Sequence, residues 1–133
     1  MASEAVVVET PTVIRDFTVA DGATIEQFTM CKLADARLAT ASSGADVFAG
    51  IAMTEKEASD GQVNLGLAQD GIFELTAAPG ATTIPAGTMC KLSGANLIIT
   101  AEAADLLTGK VVGKCLEEIA PSTSGEVDIG VRG

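Results

Sequence analysis

Apolar and polar residues alternate along this chain in short runs. Thr29, Cys31 and Leu33 fall on one side of an extended segment while Met30 and Lys32 fall on the other, and Thr88 to Leu92 repeats the alternation. Val13 to Val19 and Ile72 to Leu75 are β-favouring runs, each followed by a glycine-bearing turn at Asp21-Gly22 or Pro79-Gly80. Asn96 to Thr100 is apolar and β-branched, with a weaker counterpart in Arg37 to Thr40. Gln62 to Leu67 and Glu126 to Val131 alternate polar residues with Val, Leu or Ile after turns at Gly61 and Gly125. Gly50 to Thr54 and Gly113 to Glu117 are their hairpin partners. Helix is confined to two turns over Ala101 to Leu107 and one turn over Ser42 to Phe48, both too short to persist without tertiary packing.

These segments recur in the same order because the chain is duplicated. TMCKL occurs at Thr29 to Leu33 and again at Thr88 to Leu92, preceded by ATIEQF in one case and TTIPAG in the other. Upstream, DFTVADGA from Asp16 to Ala23 resembles ELTAAPGA from Glu74 to Ala81. Downstream, Ala49 to Leu67 resembles Val112 to Val131 with one inserted residue in the turn. The copies run from residue 14 to 71 and from 72 to 133, with no Gly/Ser- or Pro-rich linker at Asp70 and Gly71. Each is about sixty residues, a size at which a lone domain is marginal. The expectation is one mainly β domain over 14–133, a small barrel or sandwich built from two pseudo-twofold halves, with one or two short helices. Residues 1–13 form an N-terminal arm outside the repeat.

Composition then removes whole classes of function. Eighteen acidic against eight basic residues give a net charge of −10, which repels phosphate backbones and anionic lipid alike, so neither nucleic acid nor membrane is an expected partner. Met1 to Thr10 lacks the basic and apolar succession of an export signal, and no apolar run is long enough to span a bilayer. His, Trp and Tyr are absent, removing the commonest general base, the commonest zinc ligand and the best stacking platforms. An enzyme is therefore not expected, nor a cofactor or resident metal.

Each candidate group has a plainer explanation. Cys31 and Cys90 occupy matching positions while Cys115 matches Ala52, and with no Cys-x-x-Cys spacing they read as buried, reduced thiols. The carboxylate pairs Glu55/Glu57 and Glu117/Glu118, the first with Asp60 nearby, fall on hairpin ends where solvated charge is ordinary. GKVVGK from Gly109 to Lys114 lacks phosphate-loop spacing and reads as a turn entering a strand. Met30 and Met89 suit core filling or an adaptable interface. The arm is different. A solvated arm gains nothing from Val6, Val7 and Val8 in succession, whereas one that adds a strand to a neighbour's sheet gains ladder hydrogen bonds and burial. Val6, Val7, Val8 and Val13 are the candidate partner-binding residues, and removal of Met1 to Thr10 is expected to weaken attachment while sparing the fold.

The segment IPAGTMCKL from Ile84 to Leu92, the strand Leu97 to Thr100, and VGKCLEE from Val112 to Glu118 followed by Val127 to Val131 form a pattern that resembles the capsid cement, or head decoration, proteins of tailed bacteriophages. The resemblance covers nearly all of the chain beyond the arm. It implies a structural, non-enzymatic virion protein made in the host cytoplasm and bound to the outer surface of the viral capsid. It also implies a homotrimer that clamps neighbouring subunits of the major capsid protein after the shell expands, and it brings no catalytic residue. A phage tail or fibre component, or another β-rich virion assembly module, is the alternative.

Overall fold

A computed structural model describes residues 4–80 and 82–130. The first three residues of the arm, Ala81 of the second glycine turn and residues 131–133, including Val131 of the last expected strand, lie outside the described residues. The described chain is mainly β. Its strands are β1 (Val6–Glu9), β2 (Ile14–Thr18), β3 (Met30–Asp35), β4 (Leu38–Ala41), β5 (Phe48–Ala52), β6 (Asn64–Ala68), β7 (Ile72–Ala77), β8 (Met89–Gly94), β9 (Leu97–Thr100), β10 (Val111–Cys115) and β11 (Ser124–Ile129). One helix, α1 (Ala103–Leu107), follows β9. The turn expected over Ser42 to Phe48 is not helical. There the Asp46 carboxylate accepts the amides of Ser43 and Gly44 and bends the chain into β5.

Each half closes a five-stranded barrel of its own. In the first, β2, β4, β3, β5 and β6 form a closed cycle. In the second, β7, β9, β8, β10 and β11 do the same. All pairings within the barrels are antiparallel except the closing ones, where Thr18 pairs with Leu38 and Thr76 with Leu97 in parallel. Closure removes the open sheet edges that a sixty-residue meander would otherwise expose.

Backbone bonds are duplicated as faithfully as the strands. Ile25 and Lys56 exchange hydrogen bonds at 2.9 and 2.7 Å, and Ile84 and Ile119 exchange theirs at 2.9 Å each. Arg37 and Asn96 take the same left-handed turn position, with φ of 53° and 59°. Ser59 and Ser122 do likewise at 61° and 62°. Gly50 and Gly113 occupy matching places where two strands close on each other. A Cβ on Gly113 would lie 2.2 Å from the Asp128 carbonyl oxygen, and one on Gly50 would lie 2.7 Å from that of Ala68.

The final strand departs from the alignment that the sequence suggests. Ala52 pairs with Leu67 and its counterpart Cys115 pairs with Val127, so Leu67 corresponds to Val127 and not to Val131. Ser59 matches Ser122, and the carbonyls of Val63 and Thr123 play the same role against β2 and β7. The first copy therefore carries three additional residues, Asp60, Gly61 and Gln62. The shared glycine of NLGL and DIGV, Gly66 and Gly130, is what draws the two sequences into the wrong register.

The relation between the barrels also differs from the expected pseudo-twofold. Met30 donates its amide to Asn96 Oδ1 at 2.8 Å, and Ser42 donates to the Gly94 carbonyl at 2.9 Å, so a face of the first barrel meets the β8–β9 turn of the second. Twofold symmetry would bring the β3–β4 turn onto Met89. Instead Arg37, the counterpart of Asn96, donates to the carbonyl of Asp16 in its own barrel and lies over the Phe17 ring. The contact is head-to-tail.

Candidate interaction surface

The arm forms a strand, and its pairing is within the chain. β1 runs antiparallel to β7, with Val6 opposite Glu74, Val7 opposite Phe73 and Glu9 opposite Ile72. It occupies the same edge of β7 that pairs with β9 further along, so its ladder hydrogen bonds go to the second barrel and not to a neighbouring molecule. Ala5 is buried and donates its amide to the Phe28 carbonyl at 3.0 Å, and Val7 is half-buried against the core. The arm thus contributes to the fold as well as to the surface.

Alternation along β1 leaves Val6 and Val8 on the outside, 56% and 42% exposed. The structure brings these two together and turns Val7 inward. Val13 is 40% exposed but lies elsewhere, in a cleft of about 550 Å³ at the seam between the barrels. Arg15, Phe48, Gln69 and Asp70 line that cleft from the first half, and Val111 and Gly130 from the second. The Asp70 carboxylate accepts the amides of Thr12 and Val13 at 2.8 and 2.9 Å and so fixes the chain between arm and barrel. Leu107 on α1 is 90% exposed, the most exposed large apolar side chain of the described residues, and Leu106 beside it is 47% exposed. The apolar sequence around α1 reads as packing for a short helix, which is why these two leucines were not candidates.

The paired hairpin carboxylates face solvent. Glu55, Glu57, Glu117 and Glu118 are exposed, and Glu117 accepts the Glu126 amide at 2.9 Å, an ordinary hairpin bond. No group of three or more potential metal ligands occurs among the described residues. Asp60 is engaged otherwise. It accepts Lys56 Nζ at 2.7 Å and the amides of Glu57 and Gln62, and the lysine hydrogen bond holds its carboxyl down at about 2. Lys56 itself is fully buried, donating also to the carbonyls of Asp21 and Glu57 at 2.9 Å each. Its sequence signal was visible only by register, as a lysine where the second copy has Ile119.

All three cysteines are buried and unpaired. Burial pushes the Cys31 thiol up to about 12, and the neighbouring Cys115 thiol together with burial raises that of Cys90. Neither of these two is a thiolate at neutral pH, which suits packing, whereas the hydrogen bond with Cys90 holds the Cys115 thiol below its ordinary value. Among the described residues no helix is long and apolar enough to cross a membrane. No family model matches the chain, and no curated protein matches it.

Proposed function

We propose that this protein is a capsid cement protein, a non-enzymatic homotrimer that binds the outer surface of a phage head and clamps neighbouring major capsid subunits after expansion. The observation that carries the reading is where the chemistry lies. Both barrels are filled by their own side chains, and what remains for recognition is the outside, where Val6, Val8, Leu106 and Leu107 stand on a molecule of net charge −10. A closed ring of copies presents equal contacts to several shell subunits at once, so modest individual interfaces gain from effective concentration. A ligand of the expanded lattice alone stabilises it by mass action, about 1.4 kcal/mol for each tenfold excess over the dissociation constant. Negative surface charge keeps decorated particles apart in solution.

The test is co-sedimentation with expanded heads assembled from the major capsid protein of the same genome. The parent is expected to pellet with heads and to raise their rupture temperature. The double variant Val6→Asp/Val8→Asp, which alters only the outward side of β1, is expected to bind more weakly at an unchanged melting temperature. A parent protein that stays in the supernatant overturns the proposal.

A further inference from the structure

The two barrels are finished differently at one end. In the second, Phe73 near the start of β7 and Ile129 at the end of β11 are fully buried. Strand register assigns their places in the first barrel to Arg15 on β2 and to Gln69 just past β6, since Arg15 pairs with Leu67 as Phe73 pairs with Val127. Both first-barrel residues line the seam cleft of about 550 Å³, a volume in the range of small-ligand sites, and the mouth of a barrel is a usual place for such a site. One copy has thus exchanged apolar filling for polar groups where its barrel opens onto a cavity.

What those groups offer is specific. Arg15 is exposed and makes no hydrogen bond or ion pair with a described residue, so its guanidinium is available to an anion. Gln69 is held from behind. Its Nε2 donates to the carbonyls of Ala49 and Leu67 at 2.8 and 3.2 Å, which uses both amide hydrogens and leaves Oε1 as an acceptor. The Gln69 backbone amide donates to the Val13 carbonyl at 2.9 Å, so Arg15 and Gln69 are diagonal neighbours on adjacent strands, a spacing that long side chains span. Val13, Phe48 and Val111 supply apolar walls. The Asp70 carboxylate lines the same cleft, but it accepts the amides of Thr12 and Val13 and the Thr12 hydroxyl and is committed to that turn. A single cation in a chain of net charge −10 matches a monoanion better than a phosphate dianion.

We infer that the cleft binds the C-terminal residue of a peptide, one with an apolar side chain. Arg15 takes the carboxylate, Gln69 Oε1 accepts the N–H of that same residue, and its side chain packs among Val13, Phe48 and Val111. An N-acyl amino acid carries the same three groups and is the minimal ligand. Binding is measured without heads, so its failure and the failure of the capsid reading are distinguishable.

The experiment titrates the full chain with N-acetyl-leucine, with N-acetyl-leucinamide and with a short acetylated apolar peptide ending in leucine with a free carboxylate, read by calorimetry and by the NMR shifts of the Gln69 and Val111 amides. The acid is expected to bind, and the amide to bind about tenfold or more weakly. Arg15→Ala is expected to lose the same factor at an unchanged melting temperature, and Arg15→Lys to keep part of the affinity. Arg15→Phe, which installs the residue of the second barrel, is expected to abolish binding. A peptide that binds more tightly than N-acetyl-leucine identifies a polypeptide end as the ligand, and equal affinities identify a free N-acyl amino acid. Acid and amide that bind alike, no binding of either acid up to millimolar concentration, or an Arg15→Ala variant that binds like the parent overturns the inference.

Discussion

The two barrels share a backbone plan but not an interior. Phe73, Leu92, Ile119 and Ile129 are fully buried in the second barrel. Register assigns their places in the first to Arg15, Leu33, Lys56 and Gln69, of which Arg15 and Leu33 are exposed and Lys56 alone is fully buried. The second barrel is stabilised by apolar surface removed from water, roughly 1.5–3 kcal/mol for each large side chain fully buried. In the first barrel a polar strap does part of that work. The Lys56 stem packs inside while its ammonium meets Asp60, two carbonyls and, at 3.6 Å, Asp21. Asp60 belongs to the three residues that only the first copy carries, so the insertion and the buried lysine form one unit. A closed strand cycle can therefore be filled by either route, provided the buried charge is answered.

Exchanging the routes is the most severe way to break this comparison. Ile119→Lys places an ammonium in the second barrel without the inserted aspartate, and a buried unpaired charge is expected to cost about 4 kcal/mol or more. Denaturant unfolding should show loss of the second barrel, and a variant with the parent midpoint would mean that the strap is unnecessary.

A milder break acts on the backbone both barrels share. Gly113→Ala sets a methyl 2.2 Å from a carbonyl oxygen that strand pairing holds in place, so β10 and β11 must separate. A loss of about 3 kcal/mol is expected. Because Gly50 meets the matching wall at 2.7 Å, with an amide side chain among its neighbours, Gly50→Ala tests whether the first barrel yields more easily.

Acid should sharpen the difference between the halves. Asp60 is held at about 2 in the folded chain against an ordinary value of 3.8, so its contribution is complete above roughly pH 4 and disappears as pH falls toward 2. Asp60→Asn is expected to lower stability at neutral pH and to flatten this acid limb. An unchanged slope of stability against pH between 4 and 2 would remove Lys56 as the cause.

Much of this contrast was readable in the sequence, and what was not has identifiable causes. The duplicated TMCKL strands, the hairpins and the buried thiols follow from alternation and spacing, which are local. Closure of each half on itself depends on parallel pairs such as Thr18 with Leu38, which join segments with no pattern linking them. The arm's partner strand β7 lies far along the chain, and Val6 to Val8 state a preference for pairing without stating with what. Lys56 looks like any surface lysine until Ile119 is set beside it, and a one-residue gap in place of the three-residue insertion hides why Asp60 is there.

The smallest expected effect comes from the most similar pair of residues. Thr29 and Thr88 open the two copies of TMCKL, and both carbonyls accept an amide from the facing strand, of Ala52 and Cys115 respectively. Only Thr29 is fully buried, and its hydroxyl has no hydrogen-bond partner. Thr88 is half-buried. Replacing an unsatisfied buried hydroxyl by a methyl of the same shape removes a desolvation cost, so Thr29→Val is expected to stabilise by about 1 kcal/mol. Thr88→Val gives up a hydroxyl that solvent can reach, and its change should stay within about 0.5 kcal/mol. Thermal midpoints of the two variants decide the matter. A lower midpoint for Thr29→Val would show that the hydroxyl is satisfied by an enclosed water, making that strand of the first barrel a second place where polar contacts replace apolar filling.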